Sequence, residues 1–277
     1  MKKEQITYDE FRSEIVNDFK LACLSREASL LGRKEVLTGK AKFGIFGDGK
    51  EIAQIAMAKA FKKGDFRSGY YRDQTFMMAI GELSLEAFFF QLYSETNINK
   101  EPASGGRQMN NHFATRSLDE NGDWKDLTNQ YNSSSDISPT GSQMPRLLGL
   151  AHASKTYRNI PKIDADKFSC NGNEISFGTI GNASTSEGIF FETVNAAGVL
   201  QVPVLISIWD DRWGISVPSK YQTTKEDISQ LLKGFQKTKK IDGIEIFTVN
   251  GWNYKELCET YLKAEEICRN HHTPVII

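Results

Sequence analysis

Two segments in the last third of the chain, residues 174–180 and 203–209, have the character of strands and flank a segment with helical character at residues 187–200. The first segment has the length and composition of a strand. The second is almost purely apolar, which is typical of a parallel strand covered on both faces. The sequence therefore predicts a strand–helix–strand unit with parallel strands. Because the helix is apolar on most of its sides, we also expect it to expose a hydrophobic surface.

The same alternation of strands and helices extends along the rest of the chain. Further strands are predicted at residues 244–249 and 274–277, with a helix at residues 254–270 between them. Apolar residues at helical spacing predict earlier helices at residues 8–31, 51–61, 85–93 and 142–156. This order predicts an α/β fold, with a doubly wound, mostly parallel sheet and helices on both faces. We expect residues 1–277 to form one domain with a helical N-terminal segment, residues 1–40.

Residues 94–140 differ from the rest of the chain. They are rich in Asn, Ser, Thr, Gly and Asp and poor in aliphatic residues. A loop of this length inside a compact domain is usually functional or disordered. Its composition offers little apolar surface to bury, so we expect the segment to be mobile or to be held by its own polar contacts.

The composition argues against several classes of function. Lys and Arg number 34 against 35 Asp and Glu, and a net charge of −1 gives no bulk attraction to nucleic acid or to an anionic membrane. The first residues lack the apolar segment of a secretory signal, and no window approaches a membrane span, so we expect neither. The four cysteines form no CxxC pair, so we expect reduced, buried thiols, no zinc site and a cytoplasmic location.

The strongest candidate for chemistry is the small-residue loop at residues 181–188, between the first strand of the unit and its helix. Small residues let backbone amides approach a phosphate, and a helix N-terminus favours an anion. Asn182 in this loop and Asp211 after the next strand are expected at the same edge of a parallel sheet. Their oxygens, a backbone carbonyl and diphosphate oxygens would complete an octahedral Mg²⁺ site. The alternative is a helix cap at Asn182 or at the serines of the loop, with solvated aspartates after the strand.

Several segments together resemble one protein family. The loop at residues 181–188 and the run Asp210-Asp211-Arg212-Trp213-Gly214-Ile215-Ser216-Val217-Pro218 resemble the thiamine-diphosphate motif of the α subunits of 2-oxo acid dehydrogenase E1 components. Other segments match the same family in the same order: Gly49-Lys50-Glu51-Ile52-Ala53-Gln54, Tyr70-Tyr71-Arg72-Asp73-Gln74, Gly105-Gly106-Arg107-Gln108-Met109 with His112, and Ile137-Ser138-Pro139 with Gln143-Met144-Pro145. Each segment alone is a weak signal, but their common order is a strong one.

The resemblance implies the cofactors thiamine diphosphate and Mg²⁺ and a set of residues that hold them. The positions that match cofactor-binding residues are Tyr71, Arg72, Ser138, Thr140, Gly181, Asn182, Ala183, Ser184, Asp211 and Ile215. The metal ligands would be Asn182, Asp211 and the backbone carbonyl of Trp213. His112 matches a histidine near the substrate channel, which implies a catalytic role. The alternatives are a surface salt bridge with Asp73 for Arg72 and a solvated side chain for His112.

The match departs from the family at the metal position. The family has a carboxylate where this chain has Asn182 and an amide where it has Asp211. The negative charge is therefore exchanged across the site, and one acid and one amide remain. Asp210 adds a second negative charge near the diphosphate. Trp209 stands where some relatives have an arginine for the phosphate, so phosphate binding would depend more on Arg72.

For the whole protein, the resemblance implies oxidative decarboxylation of a 2-oxo acid and transfer of the acyl group to a lipoyl-bearing E2 partner. This chain would be the α-type half. A β-type half, in the same or a separate chain, would supply the glutamate that activates the cofactor. We therefore expect a fragment of a longer polypeptide that forms a homo-oligomer and is inactive by itself. Two alternatives stay open: a transketolase-like thiamine enzyme, against which residues 71–73 and 106–109 argue, and a non-catalytic structural homologue.

Overall fold

The computed structural model describes residues 7–160, 162–163 and 165–277. Its helices are α1 (Tyr8–Leu37), α2 (Glu51–Ala60), α3 (Gln74–Ala79), α4 (Leu85–Leu92), α5 (Gln143–Asn159), α6 (Gly188–Leu200), α7 (Ile228–Leu231) and α8 (Tyr254–His271). Its strands are β1 (Phe66–Ser68), β2 (Asn132–Ser133), β3 (Ser176–Gly181), β4 (Val204–Trp209), β5 (Trp213–Gly214), β6 (Val217–Pro218), β7 (Glu245–Ile246) and β8 (Val275–Ile276). Residues 1–6 of the expected N-terminal segment lie outside the described residues.

The main sheet has the strand order β2-β1-β3-β4-β8-β7, and each neighbouring pair is parallel. Helices α2, α3 and α8 pack on one face, around Met57, Phe76 and Tyr261. Helices α5 and α6 pack on the other face, around Leu147 and Phe190. The expected doubly wound parallel α/β sheet is confirmed.

The central strands β3 and β4 are buried on both faces, as the apolar composition of residues 203–209 predicts for β4. Leu205 packs into the cluster on one face, while Val204 and Ile206 pack into the cluster on the other. The parallel register pairs Gly181 with Trp209, the last residues of the two strands. The segments that follow these two residues therefore leave the sheet at the same level.

No sequence pattern predicts β1, β2 or α3. The two strands are only three and two residues long. Arg67, Ser68 and Asn132 in these strands are polar yet buried, so hydrophobic periodicity cannot reveal them. The strand expected at residues 244–249 shortens to β7, and the helix expected at residues 8–31 continues to the end of α1.

The expected hydrophobic surface along residues 187–200 is wrong. Phe190 and Val194 of α6 are buried, because α5 and Leu232 cover the side of the helix that the sheet leaves open. Among the described residues of α6, Val199 is the exposed large hydrophobic one. Helix α1 instead carries exposed large hydrophobic residues along its whole length, namely Tyr8, Phe11, Val16, Phe19, Leu24, Leu30, Leu31 and Leu37.

The segment at residues 94–140 is fastened to the rest of the fold. Phe113 and Leu127 reach buried positions, although the segment is poor in apolar residues. Both carboxylate oxygens of Asp136 accept hydrogen bonds from Arg67, at 3.1 and 3.0 Å. Contacts within the segment also exist, such as the bond from the Phe113 amide to Asp136 at 3.0 Å. The segment is therefore held by its own polar contacts, as one of the two expectations stated, and also by Arg67 of β1.

Two expectations from composition can be compared with the structure. Cys268 is buried, but Cys23 and Cys170 are exposed, so the expectation of four buried thiols is wrong. No helix in the described ranges has the length and apolarity needed to cross a membrane.

The buried His272 after α8 predicts a loss of stability in mild acid. Burial lowers the pKa of His272 to about 4, and the charges of Arg158 and Lys155 act in the same direction. Its Nε2 lies 2.8 Å from the Gly172 carbonyl oxygen. The unfolded chain, with the ordinary pKa of 6.5, takes up the proton first. Stability that is complete above pH 6.5 should therefore fall as the pH drops towards 4, by about 1–2 kcal/mol.

Urea unfolding of the wild type and of His272→Asn at several pH values measures this effect. Asn suits the left-handed backbone at this position, where φ is +53°. The difference in unfolding free energy between the two proteins should shrink as the pH falls from 6.5 to 4. A difference that stays constant over this range would contradict the prediction.

Candidate functional site

Four loops that carry predicted site residues meet at the carboxyl edge of the sheet. They follow β1, β2, β3 and β4, and parallel strands bring their carboxyl ends to one edge. The loop after β1 carries Tyr71 and Arg72, and the loop after β2 carries Ser138 and Thr140. Asn182 follows β3 directly, and Asp211 lies two residues beyond β4. This edge is the one at which ligands bind in open α/β sheets.

Asn182 is nearly fully buried where β3 ends. Its backbone amide donates to the Trp209 carbonyl oxygen at 3.4 Å, which holds the two strand ends together. Residues Ala183–Ser186 form a short 3₁₀ turn, and the side chain of Asn182 makes no capping hydrogen bond to it. Helix α6 likewise follows Glu187 without a side-chain capping hydrogen bond. The alternative of a helix cap at Asn182 or at the serines is therefore wrong.

Asp211 is held from two sides. Its Oδ2 accepts a hydrogen bond from Lys50 Nζ at 2.8 Å, and its Oδ1 accepts one from the Trp213 amide at 3.0 Å. Burial raises the pKa of Asp211, but the bond and charge of Lys50, the Trp213 amide and Arg72 outweigh it and lower the pKa. Asp211 is thus ionised and positioned by the fold, rather than only solvated as the alternative had it.

The hairpin of β5 and β6 closes over the loop after β3. Its Gly214 approaches Ala183 so closely that a Cβ on Gly214 would lie 2.7 Å from the Ala183 Cβ. The hairpin therefore brings Trp213 next to the loop that begins with Asn182. Ile215 lies at the tip of the hairpin, fully exposed and with φ of +58°. Because its side chain is fully exposed, Ile215 packs against none of the other predicted residues.

Arg72 points away from the carboxylate that follows it in sequence. Its Nη1 donates to the Phe46 carbonyl oxygen at 3.2 Å, and its guanidinium lies 5.5 Å from the centre of the Tyr71 ring. Asp73 is instead buried in an ion pair with Arg67. The alternative of a salt bridge between Arg72 and Asp73 is wrong, and the charge of Arg72 acts on Asp211.

His112 and Ser138 form a second cluster beside the first. His112 is buried, with Nε2 3.0 Å from Ser138 Oγ and Nδ1 3.1 Å from the Asn110 carbonyl oxygen. The alternative of a solvated His112 is therefore wrong. Ser138 and Thr140 are exposed, and Gly141 after them packs near Glu187, so this loop borders the one that starts at Asn182.

Tyr70 has a buried hydroxyl that needs a partner. Within the described residues, its Oη has no hydrogen-bond partner. A Cβ built on Gly181 would lie 3.5 Å from this oxygen, so the hydroxyl lies at the end of β3. Burial raises the pKa of Tyr70 well above its ordinary value, so the hydroxyl keeps its proton and can donate. An unpaired buried donor is satisfied by water or by a ligand group, and a phosphate oxygen would suit it.

The donor set at this edge fits a metal only when a ligand adds oxygens. In the described part of the chain, no group of three or more His, Cys, Asp or Glu side chains could hold a metal ion. The edge offers one carboxylate at Asp211, one amide at Asn182 and a backbone carbonyl at Trp213. Mg²⁺ is commonly held by one or two carboxylates together with phosphate oxygens. The residues therefore fit a Mg²⁺–diphosphate pair.

The sequence does not predict that two further residues, Tyr70 and Lys50, take part in the site. Tyr70 and Lys50 both lie in segments that resemble the family, but no spacing connects Lys50 with Asp211, which is 161 positions away. The sequence does contain one indication of Lys50, namely Asp211 at a position where the family has an amide. A partly buried carboxylate needs a cation nearby. A cavity of about 520 Å³ opens beside the site and is lined by Lys50 and Asp211.

Comparison with known proteins identifies the family. A family model described as "Dehydrogenase E1 component" matches residues 20–277. The chain belongs to the dehydrogenase E1 component family. It is 29% identical over 241 residues to the 2-oxoisovalerate dehydrogenase subunit alpha of Bacillus subtilis, which covers 87% of this chain and 62% of the relative. It is 26% identical over 266 residues to the pyruvate dehydrogenase E1 component subunit alpha of Acholeplasma laidlawii, which covers 96% of this chain and 64% of the relative.

These relatives confirm the resemblance to E1 α subunits that the motifs indicate. A third relative, the mitochondrial 2-oxoisovalerate dehydrogenase subunit alpha of Dictyostelium discoideum, is 25% identical over 241 residues, or 86% of this chain and 46% of the relative. The E1 chain thus spans less than two thirds of the length of each of these three relatives. Relatives named for two different 2-oxo acids match it, at 29% and 26% identity, so the comparisons do not select a substrate.

Proposed function

We propose that this E1 chain is the α-type half of a thiamine-diphosphate-dependent 2-oxo acid dehydrogenase and binds the diphosphate and Mg²⁺ of the cofactor. The observation that carries the proposal is the meeting of Arg72, Asn182 and Asp211 at one sheet edge. The names of the relatives support the class of reaction. Oxidative decarboxylation of a 2-oxo acid and acyl transfer to a lipoyl-bearing E2 would be the activity of the whole enzyme.

Each group in the proposed site has one task. Asn182, Asp211 and the Trp213 carbonyl hold Mg²⁺, and Arg72 with the backbone amides of Ala183 and Ser184 binds the diphosphate. Charge-assisted bonds from an arginine to phosphate oxygens are among the strong ones. Tyr70 donates to the same anion from the buried end of β3. When bound, thiamine diphosphate supplies an electron sink for decarboxylation.

The second cluster belongs to the other end of the cofactor in this proposal. Ser138 and Thr140 contact the aminopyrimidine end. His112, whose Nε2 lies 3.0 Å from Ser138 Oγ, would be positioned beside this end, near the channel for the 2-oxo acid. A β-type half, in the same or a separate chain, supplies the glutamate that activates the cofactor. We propose that the exposed apolar residues of α1, such as Phe19, are covered in a homo-oligomer or by that half.

Calorimetric titration with thiamine diphosphate tests the proposal. The wild type should bind it with Mg²⁺ present and much more weakly with a chelator, because the metal neutralises both Asp211 and the diphosphate. Arg72→Met should weaken binding by about tenfold or more, since it removes charge-assisted bonds to phosphate. Arg116→Met, at an exposed arginine that is not among the proposed cofactor-binding residues, is the matched control and should bind like the wild type.

The contrary outcomes are distinct. Absence of metal-dependent heat in the wild type would favour the non-catalytic structural homologue. Binding that is equally strong in Arg72→Met and in the wild type would remove Arg72 from the site and leave the rest of the proposal standing.

A further inference from the structure

Lys50 is the least expected participant at the sheet edge. It lies at the start of α2, in the loop that also supplies the Phe46 carbonyl to Arg72. This loop and Arg72 are in close contact, since a Cβ on Gly47 would lie 2.6 Å from the Arg72 carbonyl oxygen. The side chain of Lys50 is only 12% exposed, against 49% for Asp211. The lysine is thus held inside the site and not spread over its surface.

The ion pair between Lys50 and Asp211 neutralises the negative charge that this chain carries after β4 instead of after β3. Asp210 and Asp211 place two carboxylates directly after β4, while Asn182 after β3 is neutral. Lys50 offsets one of these charges at 2.8 Å, and Arg72 acts on Asp211 from the neighbouring loop. Arg26 and Glu51, which also line the adjoining cavity, pair with each other and add no net charge.

The pair has opposite consequences for the two components of the cofactor. A free Mg²⁺ ion that approaches Asp211 meets an ammonium group bonded to one carboxylate oxygen, so repulsion opposes its binding. A diphosphate anion that approaches the same corner is attracted by that ammonium. Each oxygen of Asp211 accepts one hydrogen bond, so each keeps a lone pair for a metal.

We infer that Lys50 is a positioning residue that makes the site bind Mg²⁺ and diphosphate together instead of the metal alone. The inference rests on the proposed function, because it assumes that Asp211 is a metal ligand next to the diphosphate. Lys50 fixes the Asp211 carboxylate and supplies a positive charge that the anion, on arrival, neutralises. Affinity for the metal then rises when the anion is bound, and linkage requires the reverse as well.

The test is titration calorimetry of the purified protein with three probes: Mg²⁺ alone, inorganic pyrophosphate with a chelator, and pyrophosphate with saturating Mg²⁺. Lys50→Met keeps the length of the side chain and removes the charge. It should bind Mg²⁺ alone on the order of tenfold more tightly and pyrophosphate alone on the order of tenfold more weakly. The mutual enhancement between the two probes should shrink accordingly. Lys50→Arg keeps the charge and should behave like the wild type.

Two controls separate electrostatics from structure. Lys63→Met removes an exposed lysine elsewhere and should leave all three affinities unchanged. Lys50→Gln provides a second neutral variant, should Lys50→Met unfold. A merely structural lysine would weaken binding of both probes when replaced, so changes in the same direction, or no change, would overturn the inference. A wild type that binds neither pyrophosphate nor thiamine diphosphate with Mg²⁺ would instead refute the proposed function.

Discussion

Replacement of Arg67 by Met is expected to lower the free energy of unfolding by about 3–5 kcal/mol. Arg67 is completely buried in β1, and its guanidinium bonds to Asp73 at 2.8 Å and to Asp136 at 3.1 and 3.0 Å. Both carboxylates are themselves inaccessible to solvent. Removal of the cation leaves two buried carboxylates without a counter-charge, which costs more than the ion pair itself contributes.

The effect should reach the candidate site through the loop after β2. The Asp136 carboxylate also accepts a hydrogen bond from the backbone amide of Phe113. This carboxylate therefore connects the segments that carry His112 and Ser138 to Arg67. Loss of Arg67 should therefore speed amide hydrogen exchange between residues 112 and 140 more than in the central strands β3 and β4.

Urea unfolding and hydrogen exchange of the wild type and three variants measure both effects. Arg67→Lys retains the charge without the forked geometry and should lose less stability than Arg67→Met. Arg116→Met is the surface control and should stay within about 0.5 kcal/mol of the wild type. Burial raises the pKa of Asp73 even though the charge of Arg67 lowers it. The loss of stability in Arg67→Met should therefore be smaller in acid, where the carboxylates are protonated. A loss below 1 kcal/mol in Arg67→Met at neutral pH, as for a surface pair, would show that the triad is not needed.

This triad also explains which parts of the fold the sequence could predict. Strand β4 is almost purely apolar because helices cover both of its faces, so its composition reveals it. Strand β3 is six residues long and can be recognised as a strand from its own sequence. Strands β1 and β2 are held by buried polar groups, among them Arg67 and Ser133, whose bond spans 2.8 Å. Such a network joins residues that are far apart in sequence, so the local periodicity of hydrophobic residues cannot predict it.

In the candidate site, too, some features could be predicted from the sequence and others could not. The positions of Asn182 and Asp211 could be predicted, because residues after adjacent parallel strands must share an edge. The bond between His112 and Ser138 and the ion pair between Lys50 and Asp211 could not, because each joins loops whose relative placement only the packed fold determines. The wrong expectation for α6 has a similar origin, since α5 and the segment after α7 cover it from directions that a single helix does not reveal.

Replacement of Asp211 by Ala is expected to weaken Mg²⁺-dependent binding of thiamine diphosphate by more than about a hundredfold. Loss of groups that merely support metal ligands costs about 10–100-fold, and Asp211 is the charged member of the proposed ligand set. Asp211→Asn keeps an oxygen but no charge and should lose about tenfold or more. Asp210→Asn is the matched control, because this neighbouring carboxylate bonds the Arg212 amide at 2.8 Å and is not a proposed ligand. It should retain metal-dependent binding.

The double variant Asn182→Asp with Asp211→Asn tests whether the charge has moved across the site. It places the carboxylate after β3 and the amide after β4, as in the family pattern, with the net charge unchanged. Calorimetry should show tighter Mg²⁺-dependent binding of thiamine diphosphate than in Asp211→Asn alone. This gain would measure the coupling between two residues at adjacent strand ends. Lys50 loses its carboxylate partner in this variant, so recovery need not be complete. Binding no tighter than that of Asp211→Asn would mean that position 182 cannot carry the metal charge, and that Asp211 has a role of its own in this chain.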